Sequence, residues 1–162
     1  YSLLISLGLT KKTIFLKRHP GSTLDEWLGS AEYIIKYGGH PILVERGSAS
    51  HVNHVRWDLS ISMIPAVKSI CRIPIIVDAS HGTGRRDLVE PMTMAGIAAG
   101  ADGFLVEVHP EPKKSLSDPD QAITFKDFET LITKVKQIKL AMKPTVQNME
   151  GHNVGFFNPT KH

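Results

Sequence analysis

Four short apolar runs divide the chain into segments of similar length. The runs begin 28, 33 and 29 residues apart. They are rich in branched side chains and do not alternate with polar residues, a pattern typical of strands that are buried on both faces. The predicted strands are Ile14-Phe15-Leu16, Ile42-Leu43-Val44, Ile75-Ile76-Val77 and Phe104-Leu105-Val106.

Apolar residues at helical spacing follow each predicted strand. In the first interval Thr23 and Glu26 form a capping box at the predicted start of the helix, and Gly38-Gly39 end it. Thr124 is the predicted N-cap of the last helix, with Asp127 three residues later. The other predicted helices cover 61–71 and 87–99, and the last covers about 125–142.

A strand and a helix repeated four times predict an α/β fold with a parallel sheet and right-handed crossovers. Two architectures satisfy this repeat, an open doubly wound sheet and part of a (β/α)8 barrel. A complete barrel typically takes about 250 residues, so four units would form one half of it. Residues 1–142 are the predicted structural unit. Residues 143–162 are polar and show no periodicity, which predicts an irregular tail.

The composition is that of an ordinary globular domain and excludes several classes of protein. Of 162 residues, 41% are hydrophobic and 22% are charged, which excludes collagen, a coiled coil and wholesale disorder. The net charge of +3 comes from scattered basic residues, so neither nucleic-acid binding nor a polybasic membrane anchor is expected. No apolar run reaches the roughly 18 residues of a membrane span. The single Cys71 excludes an internal disulfide and favours a cytoplasmic location.

Charged or imidazole side chains follow all four predicted strands. The carboxyl ends of parallel strands lie at one edge of a sheet, and that edge carries the active site in parallel α/β enzymes. The four strand ends therefore predict a functional site. Their sequences are Lys17-Arg18, Glu45-Arg46-Gly47, Asp78-Ala79-Ser80-His81 and Glu107-Val108-His109-Pro110.

These side chains fall into two chemical groups. Lys17, Arg18 and Arg46 are cations that can hold a phosphate or carboxylate, and arginine can do so with two parallel hydrogen bonds. His81 and Glu107 are candidate ligands of the classes that suit Mn, Fe, Co or Zn. The polar loop around Asp118 could add a third ligand, although a carboxylate there is more often only a turn former.

Five sequence segments carry a resemblance to a known family. The chain from about Thr13 to about Ala141 resembles the shorter, microbial-type 3-deoxy-D-arabino-heptulosonate 7-phosphate synthases. The segments are FLKR (15–18), ERG (45–47), DASHGTGRRDLVEP (78–91), AAGADGFLVEVHPEP (98–112) and LSDPDQ (116–121). The resemblance implies a (β/α)8 TIM barrel in which this chain supplies strands five to eight. It also implies the condensation of phosphoenolpyruvate with erythrose 4-phosphate, the first step of the shikimate pathway toward aromatic amino acids.

The resemblance also implies roles for single residues. His81, Glu107 and Asp118 match three of the family's four metal ligands, and the fourth, a cysteine, belongs to a part that this sequence does not include. Cys71 does not replace it, because Cys71 lies at the end of a predicted helix, just before a strand begins, which is the wrong face. Lys17 matches a residue that binds phosphoenolpyruvate, and it could also donate a proton.

Further residues receive less defined roles. Arg46 matches a residue that holds the phosphate of phosphoenolpyruvate, and Arg18 is included among the expected substrate-binding cations. His109 could orient a metal ligand or relay a proton. Arg85 and Arg86 begin a predicted helix, where a substrate phosphate, a subunit contact and plain surface charge all stay open.

Two other functions are compatible with the sequence. One is that of 3-deoxy-8-phosphooctulonate synthase, which uses arabinose 5-phosphate. The other is a non-catalytic half-barrel that acts as a partner subunit. Because four strands cannot close a barrel, the edge strands are expected to pair, either with the half of the barrel that this sequence does not include or with a second copy in a homo-oligomer. The chain alone is expected to be inactive.

Overall fold

A parallel sheet of four strands forms the centre of the structure, a computed structural model that describes residues 1–142. The strand order is β1-β2-β3-β4, and every neighbouring pair is parallel. The order follows the sequence without the reversal that defines a doubly wound sheet. The predicted α/β fold with a parallel sheet is therefore confirmed, and the predicted tail over 143–162 lies outside the described residues. The strands are β1 (Thr13–Lys17), β2 (His40–Glu45), β3 (Ile75–Asp78) and β4 (Gly103–Leu105).

Six α-helices accompany this sheet within residues 1–142, and two of them were not expected from the sequence. The first, α1, has no side-chain cap and precedes the first strand. The second, α4, has only five residues and occupies a segment expected to be a loop after β3. The helices are α1 (Ser2–Leu9), α2 (Leu24–Lys36), α3 (Met63–Ile70), α4 (Ala79–Thr83), α5 (Arg86–Ala98) and α6 (Phe125–Ala141), with a 3-10 turn at Pro112–Lys114.

Both predicted N-caps are present. Thr23 and Glu26 form the reciprocal hydrogen bonds of a capping box at the start of α2, and Thr124 and Asp127 do the same for α6. Both caps are short-range features, in which a side chain three residues away satisfies a free backbone N–H. None of the helices in residues 1–142 is long and apolar enough to cross a membrane.

Burial across the sheet is uneven. All four residues of β3 are buried, and Leu43 and Val44 of β2 are fully buried. In β1, by contrast, burial alternates and Phe15 is 56% exposed. None of the three residues of β4 is fully buried. The expectation that every strand is buried on both faces is therefore wrong for β1 and β4, each of which has a single neighbouring strand among the described residues.

The packing of α5 on β3 depends on a close approach at Gly96. A Cβ atom at this position would lie 2.6 Å from Cγ1 of Val77 and 2.9 Å from its Cβ. Such distances require a displacement of the helix or the strand. Val77 directly precedes Asp78, the last residue of β3. The contact with Gly96 therefore also helps to fix the position of the carboxyl end of this strand.

We expect Gly96→Ala to lower the free energy of unfolding by about 1–3 kcal/mol, because the added methyl group overpacks the α5–β3 contact. Gly29→Ala in α2 is the matched control, since a Cβ there meets no atom within 4 Å. The control should raise stability by about 0.5–1 kcal/mol through helix propensity alone. Urea denaturation of both variants measures the difference, and equal effects would contradict the proposed contact.

Candidate active site at the carboxyl edge of the sheet

His81, Glu107 and Asp118 lie together at the carboxyl edge of the sheet. One potential ligand atom from each residue lies within 4.8 Å of the other two. His81 Nε2 and Glu107 Oε1 are 3.0 Å apart. Neighbouring ligand atoms on one ion at about 2.1 Å also lie about 3 Å apart, so this donor set fits a divalent cation. All three side chains are partly exposed, which leaves the group accessible.

The position of His81 is set by Asp78, the last residue of β3 and the N-cap of α4. Asp78 Oδ1 accepts a hydrogen bond from the His81 backbone N–H at 3.0 Å. The imidazole Nδ1 lies 2.9 Å from Asp78 Oδ2. A carboxylate is an acceptor, so this contact favours the tautomer with a proton on Nδ1, and the Nε2 atom faces Glu107. This role of Asp78 was not predicted from the sequence, although an Asp directly after an apolar run is a recognisable helix N-cap signal.

Glu107 is oriented by two buried neighbours. Its backbone N–H donates to Ser80 Oγ at 3.0 Å. Its Oε2 accepts a hydrogen bond from Nε2 of Gln121 at 3.1 Å. Gln121 is fully buried, and its Oε1 has no hydrogen-bond partner within residues 1–142. The side-chain oxygen atoms of Glu107 are thereby divided between Gln121 and His81.

Asp118 occupies an unusual backbone conformation in the loop after β4. Its φ is 46°, which lies in the left-handed region that residues other than glycine rarely adopt. The side-chain Oδ1 accepts a hydrogen bond from Nη2 of Arg56 at 2.9 Å. Strained backbone of this kind is often found at ligand-binding positions.

Lys17 lies next to the same group. Its Nζ is 3.1 Å from Asp78 Oδ2 and 3.5 Å from His81 Nδ1. Asp78 is fully buried, whereas the Lys17 side chain is 39% exposed. The Lys17 ammonium group is therefore held at the solvent-exposed side of the site, next to His81, one of the three candidate ligands.

Arg46, which follows β2, carries a donor without a partner. Its Nε atom is buried, and no hydrogen-bond acceptor lies within reach in residues 1–142. A buried unsatisfied donor costs free energy, so such atoms in native proteins usually serve a ligand or an ordered water. This observation fits the expectation that Arg46 binds an anion.

Arg18, by contrast, is already occupied by a protein carboxylate. It is 2% exposed, and its Nε and Nη2 donate to the two oxygens of Glu45 at 2.6 and 2.8 Å. Glu45 is itself fully buried and also accepts from the Gly47 backbone N–H at 2.7 Å. The structure thus gives Arg18 a different role from the expected substrate binding, because its guanidinium joins the ends of β1 and β2.

Arg85 and Arg86 lie at the start of α5, beside the loop that carries Asp118. The Arg85 guanidinium pairs with Asp87, and this hydrogen bond lowers the pKa of the Asp87 carboxyl and raises the pKa of Arg85. Arg86 donates to the backbone oxygens of Pro119 and Ala122, both at 2.6 Å. Arg86 therefore anchors the Asp118 loop, and both arginines line an open cavity together with Lys113 and Asp120.

His109 lies two residues beyond Glu107. Its Nδ1 accepts a hydrogen bond from the Glu111 backbone N–H at 3.0 Å, and its own backbone N–H donates to Ile123. The hydrogen bonds of its ring within residues 1–142 are thus confined to its own loop. No hydrogen bond joins the His109 ring to His81, Glu107 or Asp118 within residues 1–142, so a role for His109 in orienting a ligand or relaying a proton stays a prediction.

Comparison with known proteins places these residues in a family context. The sequence profile of the DAHP synthetase I family matches residues 1–144. The phospho-2-dehydro-3-deoxyheptonate aldolase of Thermotoga maritima is 43% identical over 143 residues, which are 88% of this chain and 42% of that protein. The 2-dehydro-3-deoxyphosphooctonate aldolase of Desulfotalea psychrophila is 34% identical over 113 residues, or 63% of this chain and 39% of that protein.

Solved structures show the same similarity. The crystal structure of the Thermotoga maritima aldolase superposes with a TM-score of 0.84 at 44% identity, over 86% of this chain and 42% of that one. A truncated form of 3-deoxy-D-arabino-heptulosonate 7-phosphate synthase from the same organism also gives 0.84 at 44% identity, over 54% of its chain. The chain spans about two fifths of the length of the curated relatives named here.

We expect Arg18→Ala to lower the free energy of unfolding by about 3–5 kcal/mol, because it leaves the buried Glu45 charge without a partner. Arg85→Ala is the matched control. It removes a similar two-point arginine–carboxylate pair whose side chains are 48% and 63% exposed, and exposed pairs contribute about 0–1 kcal/mol. Urea denaturation compares the two, and a small effect of Arg18→Ala would argue against a structural role.

Proposed function

This chain belongs to the DAHP synthetase I family, and from that membership we propose that it forms the metal-binding part of an aldol-type synthase. The proposed reaction condenses phosphoenolpyruvate with erythrose 4-phosphate to 3-deoxy-D-arabino-heptulosonate 7-phosphate, the first step of the shikimate pathway. The observation that carries the proposal is the grouping of His81, Glu107 and Asp118, with Lys17 beside them. A cytoplasmic location is part of the same proposal.

The proposed architecture is a (β/α)8 barrel in which the four strands are strands five to eight. The sequential order of parallel strands supports it, since barrel strands follow one another around the ring. The exposed Phe15 on β1 supports it too, because an apolar edge strand is expected to have a further neighbour. Residues 1–142 would then form half of a barrel domain, and β1 and β4 would pair with further strands or with a second copy in a homo-oligomer.

The proposed metal ligands are His81, Glu107 and Asp118, holding Mn, Fe, Co or Zn. One imidazole and two carboxylates suit ions of this class. A metal ion held by these residues would supply Lewis-acid chemistry, which would polarise the aldehyde oxygen of the sugar phosphate. Asp78 orients the imidazole with Nε2 toward the site. Gln121 orients the Glu107 carboxylate by donating a hydrogen bond to its Oε2.

Lys17 and Arg46 are the proposed phosphoenolpyruvate-binding residues. In the reaction the methylene carbon of phosphoenolpyruvate bonds to the aldehyde carbon, water adds to the neighbouring carbon, and phosphate leaves. The buried Arg46 Nε supplies a hydrogen-bond donor for the phosphate. Lys17 neutralises the substrate's negative charge and, in the same position, can donate a proton during the reaction. Arg85 and Arg86 are further candidates for binding a second substrate phosphate. His109 is a further candidate for orienting a metal ligand or relaying a proton.

A second candidate function is 3-deoxy-8-phosphooctulonate synthesis from arabinose 5-phosphate. Its support is the similarity to 2-dehydro-3-deoxyphosphooctonate aldolases, although these relatives are only 28–34% identical. A non-catalytic half-barrel subunit is the third candidate. The grouped ligand-type residues favour a catalytic role over it, and so does the buried Arg46 donor, which has no hydrogen-bond partner within residues 1–142.

The metal site predicts that the chain binds one Mn²⁺ or Zn²⁺ ion, measured by isothermal titration calorimetry. His81→Ala and Glu107→Gln should each weaken binding by at least about tenfold, since each removes or neutralises a ligand. His40→Ala is the control, because His40 begins β2 at the opposite edge of the sheet. Unchanged binding in both ligand variants would refute the assignment.

The substrate assignment is tested by phosphate release after the chain is co-expressed with the part of the Thermotoga maritima aldolase that it does not match. Lys17→Ala and Arg46→Ala should each lower the rate by about 100-fold or more, because a preorganised donor facing developing charge contributes that much. Gly29→Ala serves as the neutral control. Faster release with arabinose 5-phosphate than with erythrose 4-phosphate would favour the second candidate function.

A further inference from the structure

The carboxylate of Asp118 has a single hydrogen-bond partner among residues 1–142, and that partner is Arg56. The bond joins Nη2 of Arg56 to Oδ1 of Asp118 at 2.9 Å. The two residues are 62 positions apart in the sequence. The backbone of this loop is held by Arg86 and by the bonds from the Gln121 and Ala122 N–H groups to the Asp118 backbone oxygen, but none of these contacts the Asp118 carboxylate.

Arg56 itself is firmly placed by the backbone around it. Its backbone N–H donates to the oxygen of Thr83, and that of Trp57 donates to Gly82, both at 2.9 Å. These bonds fasten the loop after β2 to α4, the helix that carries His81. The Arg56 side chain packs closely against Gly84, where a Cβ atom would lie only 2.9 Å from Cβ of Arg56. The backbone from which the guanidinium extends is therefore hydrogen-bonded to the helix that carries His81.

From this geometry we infer that Arg56 is a positioning residue that holds Asp118 in place as a metal ligand. The inference rests on the proposed metal site. One N–H of Arg56 occupies one lone pair of the carboxylate, and an ionised carboxylate has several others to offer a metal. Each of the three candidate ligands then has its own partner: Asp78 for His81, Gln121 for Glu107 and Arg56 for Asp118.

The exposure of the pair argues for this role over a stabilising one. The side chains of Arg56 and Asp118 are 39% and 31% exposed. Ion pairs this open to solvent contribute little to the free energy of unfolding. Residues that orient metal ligands, in contrast, typically change metal affinity about 10–100-fold when they are mutated.

The experiment compares Mn²⁺ and Zn²⁺ affinities of the 162-residue chain by titration calorimetry, together with thermal unfolding without metal. Arg56→Ala should weaken binding about 10–100-fold. Arg56→Lys should recover most of the affinity, because a lysine can supply the single N–H that is used. The control is Lys68→Ala, which removes a cation of similar exposure from an ion pair with Asp102. It should leave the affinity unchanged, and both alanine variants should shift the unfolding temperature equally little.

A double mutant separates action through Asp118 from a general effect of charge. If Arg56 acts through Asp118, adding Arg56→Ala to Asp118→Asn should weaken binding no further. Additive losses, or an Arg56→Ala chain that binds as tightly as the wild type or more tightly, would overturn the inference and leave the metal site intact. A wild-type chain that binds neither ion would instead overturn the metal site and this inference together.

Discussion

The buried carboxylate of Asp78 is the interaction on which the site depends. It closes β3, caps α4, accepts the Nδ1 hydrogen bond of His81 and pairs with Lys17. A fully buried charge is costly unless it is paired and hydrogen-bonded, so Asp78 requires all three partners. The contacts that stabilise the Asp78 carboxylate therefore also fix the His81 imidazole and the Lys17 side chain relative to β3.

A second buried carboxylate, that of Glu45, joins the ends of the neighbouring strands β1 and β2. Glu45 ends β2 and is satisfied by Arg18 from the end of β1 and by the backbone of Gly47. This pair fixes the end of β1, where Lys17 stands next to Arg18, relative to β2, which Arg46 follows. The two proposed substrate-binding cations, Lys17 and Arg46, are thus each adjacent in sequence to a member of this buried ion pair.

Local features and the grouping of residues at the strand ends were predicted from the sequence, whereas the individual side-chain pairings that hold them were not. The capping box of Thr23 and Glu26 could be predicted because it joins residues three apart. The strands could be predicted because burial leaves a run of apolar residues. Helix α1 was missed, since it lacks a capping side chain. The roles of Arg18 and Arg56 depend on carboxylates 27 and 62 residues away, and no local pattern records such a partner.

The central claim is that His81, Glu107 and Asp118 together hold one divalent ion. Crystals of the chain grown with Mn²⁺ test it most directly, by an anomalous difference map at an energy where manganese scatters. The account predicts one strong peak within about 2.0–2.3 Å of His81 Nε2 and of an oxygen of each carboxylate. A map without a peak at this position, or with the ion bound elsewhere on the chain, would contradict it.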